Sequence, residues 1–260
     1  IYYLFIISEN LSLLDLLVNF ASLISTTPNM IRPLFTSDVT DEEKFILKDI
    51  VHPTIHIINY KQLIPNNLYY QNGHQLHIIT GPNNSGKSTY LRTVGVITIL
   101  AHLGCYIPAS YALFPSTIHN IKTCMITNNN HLNNELNGGQ FYNEMYRMNH
   151  ILHSIDKNTD HTLILIDELG NSTDYLTGIS LAWSICEELL LNYKYTYILF
   201  ATHCEELTLF STLYPNQAKN VHLSVSLDQQ HDQIIYNYKL LDGSLSDSVS
   251  DDVHNDSNII

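Results

Sequence analysis

The sequence predicts an α/β fold: a mostly parallel sheet flanked by helices, with a β-hairpin near the C-terminus. Three observations carry that expectation. Apolar runs alternate with helix-period segments from Leu76 to Ala201, the pattern of strands joined by crossover helices. The run Leu76–Thr80 passes directly into a Gly-rich segment ending in Gly86-Lys87-Ser88 and then into a helical stretch, the strand–loop–helix order of a phosphate-binding loop. Two further runs, Val221–Leu227 and Ile234–Leu240, read as the hairpin.

The elements follow in chain order. Leu13, Leu14, Leu17, Phe20, Ala21 and Ile24 repeat at helical spacing behind the capping pair Ser12 and Asp15, which predicts a helix over 12–26. The polar, acidic stretch 36–50 reads as a loop with one turn of helix. Short apolar runs at 55–58 and 76–80 read as strands, with Pro65-Asn66-Asn67 as a turn between them. A helix over about 87–103 is stopped by Gly104 and Pro108. A strand near 118–126 leads into the Asn-rich loop 128–137. The helix at 140–155 carries Phe141, Met145, Met148, Leu152 and Ile155 on one face. Strand 163–166, helix 176–191, strand 197–201 and a short helix at 204–213 complete the alternation. The tail 242–260 is rich in Asp and Ser without Lys or Arg, a composition that predicts disorder.

Composition narrows the function classes. The 260 residues are 45% hydrophobic, enough for one large domain with a packed core. Cys105, Cys124, Cys186 and Cys204 show no paired spacing and read as reduced, buried thiols. The net charge is −13, with 12 basic residues scattered singly. Duplex binding needs clustered Lys and Arg, so this segment is not expected to be the main DNA-contacting surface. The apolar start, Ile1–Ile7, is too short to span a bilayer, and no membrane role is expected.

Gly81-Pro82-Asn83-Asn84-Ser85-Gly86-Lys87-Ser88 fits G-x-x-x-x-G-K-[ST], with Thr89 following in the helix. Glycines let the backbone curl so that N–H groups point inward, and the helix adds its positive end. Lys87 can reach the β- and γ-phosphates of ATP, and the Ser88 hydroxyl can ligate Mg²⁺. Leu163–Ile166 ends in Asp167-Glu168. Asp167 is the expected Mg²⁺ partner, and Glu168 the residue that orients or deprotonates the attacking water. A further strand ends in Ala201-Thr202-His203, and His203 there can hydrogen-bond the γ-phosphate or the water.

Together these segments resemble the ATPase domain of the MutS family. The similarity rests on GPNNSGKSTYL (81–91), DELG (167–170), GISLAW (178–183) and ATHCEEL (201–207), with Arg32-Pro33 and His52-Pro53 upstream. It runs from about residue 11 to about 241. STYL, YIPASYA and LYPN look most like the eukaryotic fourth-homologue branch, which acts in meiotic crossover formation beside the fifth homologue. The resemblance implies a P-loop ABC-type ATPase head that dimerises with another MutS-like subunit, in a nuclear repair or recombination protein. On that reading 1–30 ends a lever helix, 31–241 is the ATPase domain, and DNA is met by domains preceding Ile1.

The same resemblance implies a segment that meets ATP bound to the opposite subunit, Gly138, Gly139 and Gln140. Gly139-Gln140-Phe141-Tyr142 stands where the family usually has a Ser-Thr-Phe-Met run, whose Ser faces the partner's γ-phosphate. Asn171-Ser172-Thr173 stands where the family usually has Arg-Gly-Thr, and Cys204 where it has Phe. No counterpart of the family's C-terminal helix-turn-helix is expected in 242–260. Two alternatives remain beside the ATPase: a nucleotide-binding subunit with little hydrolysis, and another ABC-type head, since LNGGQ (136–140) resembles the LSGGQ signature.

Overall fold

The computed structural model describes residues 2–27, 29–36, 45–58, 63–70, 73–125, 139–157, 161–228 and 233–244. The predicted Asn-rich loop, Gly138 and the tail from residue 245 lie outside the described residues.

The main sheet joins β5 (Leu76–Thr80), β8 (Asn120–Cys124), β9 (Thr162–Asp167), β10 (Thr196–Ala201), β11 (Ala218–Asp228) and β12 (Gln233–Asp242) in the order β12-β11-β5-β10-β9-β8. All neighbours run parallel except the β11–β12 hairpin. The strand period of two divides the apolar residues between two faces. Leu163, Leu165, Leu199 and Ile79 join α3 (Lys87–His102) and the second sheet in one core. Ile164, Ile166, Phe200 and Ile78 join α4 (Gln140–Ser154) and α5 (Tyr175–Asn192) in the other. Each of these side chains is at most 1% exposed, and burial on that scale stabilises by about 1.5–3 kcal/mol apiece. The predicted α/β architecture with its mostly parallel sheet and terminal hairpin is what the structure adopts.

The region before β5 departs from the expectation. Residues 45–50 form strand β3 (Phe45–Ile50) rather than a loop. Residues 55–58, expected as a strand, lie in a short helix, α2 (Pro53–Ile58). Pro53 at the first helical position and a bond from the Ile55 amide to His52 Nδ1 (3.3 Å) set that start. The expected turn Pro65-Asn66-Asn67 instead opens β4 (Asn66–Tyr70). With β2 (Leu34–Thr36) and β7 (Tyr111–Pro115), these strands form a four-stranded sheet ordered β2-β7-β3-β4. A two-stranded ladder, β1 (Met30–Ile31) with β6 (Ile107–Pro108), stands beside it.

The N-terminal helix α1 spans Tyr2–Thr26, ten residues longer at its start than the capping pair predicts. No Pro or Gly falls within 2–11, so nothing in the sequence stops the helix there. None of its residues is buried. By length and composition alone it is long and apolar enough to cross a membrane, an outcome the reading of Ile1–Ile7 by itself did not anticipate. The expected short helix at 204–213 is a 3-10 turn (Glu205–Leu209) followed by α6 (Phe210–Leu213).

Candidate functional site

β5, β10 and β9 are adjacent and parallel, so their C-terminal ends deliver the three sequence motifs to one edge. Ligands of open α/β sheets bind at that edge. The loop after β5 turns at Gly86, whose φ of 104° lies in the left-handed region that favours glycine. No side chain caps α3 there, which leaves its N-terminus turned to the loop. Ser85 is buried and its Oγ has no hydrogen-bond partner among the described residues.

Lys87 is only 4% exposed. Its Nζ donates to the carbonyls of Gly81 (2.8 Å) and Pro82 (3.2 Å) and lies 3.6 Å from Glu168 Oε1. Burial lowers its pKa below the ordinary lysine value, and Glu168 opposes that shift. Asp167 is buried at the end of β9, with Oδ1 left without a partner among the described residues. Its pKa is raised, chiefly by burial, while a hydrogen bond with Ser88 pulls the other way. Ser88 and Asp167 are therefore paired and could hold a divalent cation together.

Glu168 adopts a left-handed backbone, φ 54°. Its amide donates to Ala201 O (2.9 Å), which fastens the turn to β10. Its carboxylate lies between two partners: Asn171 Nδ2 donates to Oε2 (3.0 Å), and His203 Nε2 lies 2.5 Å from Oε1. His203 is aimed by the end of β10, where Thr202 N donates to Ile79 O (3.0 Å) and Cys204 N to Thr202 Oγ1 (2.9 Å). His203 Nδ1 is also 3.4 Å from Lys87 Nζ. Lys87, Glu168 and His203, expected from three separate motifs, are thus in mutual contact.

A cavity of about 760 Å³ opens over the loop, within the roughly 300–1,000 Å³ typical of ligand sites. Asn83, Asn84 and Ser85 through Thr89 line it, together with Glu168. Gly81 and Pro82 touch a separate space of about 200 Å³ beside His203. The larger cavity also has walls that sequence reasoning missed as site residues: Ile55, Leu63, Ile64, Asn66 and Tyr238, with His52. Burial, and then Arg92, lower the His52 pKa, favouring neutral imidazole. A signal existed for His52, in the His-Pro pair; none existed for Tyr238, which reaches the cavity only through the hairpin's position.

Of the expected cross-subunit segment, Gly139 caps α4 and Gln140 begins it. Both stand apart from the residues lining the cavity. Glu144, on the first turns of α4, accepts from the Gly170 amide (3.3 Å), linking that helix to the acidic loop.

A family model described as MutS domain V matches residues 77–258. The human and mouse proteins named MutS protein homolog 4 are each 37% identical over 247 residues, covering 94% of this chain and 25% and 24% of theirs. DNA mismatch repair protein MSH4 of Arabidopsis thaliana is 36% identical over 92% of this chain and 28% of its own length. DNA mismatch repair protein MutS of Thermotoga maritima is 34% identical over 91% of this chain and 28% of its own. The chain spans about a quarter of the length of these curated relatives. With the strand order, the phosphate loop and the domain V match in agreement, the chain belongs to the MutS family and resembles its fourth homologues.

Proposed function

We propose that this chain binds Mg-ATP at Gly81–Thr89 and hydrolyses it, serving as the ATPase part of a MutS-like protein of DNA repair or meiotic recombination. The observation that carries the reading is the convergence of Lys87, Asp167, Glu168 and His203 at the ends of three adjacent parallel strands, beside a cavity of nucleotide size.

The residues present fit the cofactor. Among the described residues Asp167 Oδ1 and Ser85 Oγ are buried without partners, and a bound cation or phosphate would satisfy them. Ser88 and Asp167 would hold Mg²⁺, which when bound neutralises phosphate charge. The Lys87 ammonium, now donating to the Gly81 and Pro82 carbonyls, would exchange them for phosphate oxygens. Glu168 would take a proton from water, with His203 at its Oε1 and Asn171 at Oε2 fixing the carboxylate. Tyr238 and Ile64 supply the apolar walls a purine requires.

The Arabidopsis thaliana and Thermotoga maritima relatives are named DNA mismatch repair proteins, and a DNA repair or recombination setting, in the nucleus, is proposed here. DNA would be met by other parts of the protein, and ATP would control its clamp state on DNA. The partner would be a second MutS-like subunit, the fifth homologue on the branch resemblance. The exposed helix α1, interrupted by Glu9 and Asp15, suits packing in a lever better than a bilayer.

The test is Glu168→Gln, which keeps shape and removes the base. Mg-ATP affinity should stay within about twofold, while turnover falls by roughly 10²–10⁴. Turnover equal to wild type would overturn the assignment of Glu168. Tight ATP binding without turnover in the wild-type chain and partner would point to the nucleotide-binding subunit with little hydrolysis.

A further inference from the structure

Asn66 occupies the place where sequence alone predicts a turn, yet its side chain is 9% exposed and bridges two sheets. Nδ2 donates to the Tyr238 carbonyl (2.9 Å), and Oδ1 accepts from the Leu240 amide (2.7 Å). Between them, Lys239 Nζ donates to the Pro65 carbonyl (2.6 Å). A single amide thus pairs with both a C=O and an N–H of β12, as a neighbouring strand would.

β12 needs such a partner at this point. Its ladder with β11 steps from Val225↔Tyr236 to Leu223↔Leu240, so residues 237–239 bulge out of register. Within the bulge Tyr238 has φ 54°, a conformation that costs a bulky L-residue and persists only where the surroundings enforce it. Packing covers the Tyr238 side chain only in part: its ring lies 6.2 Å from that of Tyr236, and the residue is 47% exposed. Its ring lies over the phosphate loop, close enough that a Cβ on Gly86 would meet Cδ1 at 3.3 Å, and it lines the large cavity.

We infer that Asn66 is a positioning residue for the nucleobase: by pairing with the Tyr238 carbonyl and the Leu240 amide, it holds the Tyr238 ring as a stacking platform. This inference rests on the proposed nucleotide site. Without the Asn66 amide the bulge relaxes toward negative φ, which swings the Cα–Cβ bond and takes the ring off the cavity. Both ends of the amide are required. Asp supplies no donor to the carbonyl, and Ala supplies nothing.

The test uses the full chain with Mg²⁺, ATP, the triphosphate of 2-aminopurine riboside, and inorganic tripolyphosphate, which has no base. Stacking quenches 2-aminopurine fluorescence, so the wild type and Tyr238→Phe should quench it. Asn66→Ala, Asn66→Asp and Tyr238→Ala should each lose the quench and bind ATP about five- to a hundredfold more weakly, the range of a base–aromatic stack. The double variant Asn66→Ala/Tyr238→Ala should be no weaker than Tyr238→Ala, and tripolyphosphate affinity should not change. Asn66 variants that keep both quench and affinity would overturn the inference, as would multiplicative losses in the double variant. Loss of tripolyphosphate binding by both Asn66 variants would overturn it too, marking a support of the fold rather than of the ring. If ATP binding required Lys87 but ignored Asn66, this inference alone would fall. If the wild type bound neither ATP nor tripolyphosphate, the nucleotide reading would fall with it.

Discussion

Gly170 and Gly178 meet backbone to backbone: a Cβ built on Gly178 would stand 2.6 Å from the Gly170 carbonyl oxygen. That approach welds the acidic loop after β9 to the first turns of α5, whose start is capped by Asp174 accepting from the Thr177 amide (2.9 Å). Gly170 also has φ 90°, so neither partner tolerates a side chain. Gly178→Ala should lower stability by about 1–3 kcal/mol, the usual cost of overpacking, and reduce turnover by displacing Glu168. Urea denaturation measures the first effect; an unchanged midpoint would mean that the two segments separate freely.

Gly139 provides the contrast. A Cβ there meets no described residue within 4 Å, and its backbone (φ −64°, ψ 170°) suits a helix-capping serine. Gly139→Ser should therefore change stability by no more than a few tenths of a kcal/mol. In a reconstituted two-subunit assembly it restores the hydroxyl that the family resemblance assigns to this place. Backbone N–H groups at a helix N-terminus can serve an anion without a side chain, so turnover should rise less than about tenfold. A rise of about a hundredfold would contradict that compensation.

His77 lies on β5 directly before the phosphate loop, stacked on Tyr70 at 4.0 Å, with Nε2 unpartnered among the described residues. Burial pushes its pKa down to about 3, with Lys219 adding to the effect. Unfolded histidine titrates near 6.5, so between those values the unfolded chain binds the proton and the folded one does not. The contribution to stability is complete above about pH 6.5 and is lost as pH falls toward 3. Between pH 7 and 5 the loss from this residue is roughly 2 kcal/mol. His77→Phe, which keeps a ring against Tyr70, should remove that part of the acid sensitivity of the urea midpoint. Identical pH profiles for the two proteins would contradict the assignment.

Much of the main sheet was legible because its strands are buried on both faces. Leu163–Ile166 and Leu76–Thr80 are apolar runs that surface positions could not contain. The smaller sheet was not legible, and in two of its four strands, β3 and β4, the reason is local. β3 breaks its alternation at Lys48 and Asp49, where a bulge with φ 52° shifts the register against β4. β4 begins with two asparagines, residues of low strand propensity, whose side chains are taken up by Leu240 N, Tyr238 O and Asp49 N. Tertiary partners more than 170 residues away thus override the local turn signal of Asn66. The site divides the same way. Lys87, Asp167 and Glu168 could be singled out because the motifs they fit have fixed residue types at fixed spacings, and His203 because it ends a strand. The structure brings Lys87, Glu168 and His203 into contact. Tyr238 and Asn66 were invisible, because their relation exists only once the hairpin lies against β4.

The central claim is that Gly81–Thr89 is a nucleotide-phosphate site, and Lys87→Ala tests it most directly. Lys87 is buried, and among the described residues its Nζ donates to the Gly81 and Pro82 carbonyls and lies beside Glu168 and His203. A charge-assisted hydrogen bond to phosphate contributes about 1.5–3 kcal/mol. Titration calorimetry with Mg-ATP should therefore show the wild type binding and Lys87→Ala binding roughly ten- to a hundredfold more weakly. Equal affinity of the two proteins for Mg-ATP would contradict the account.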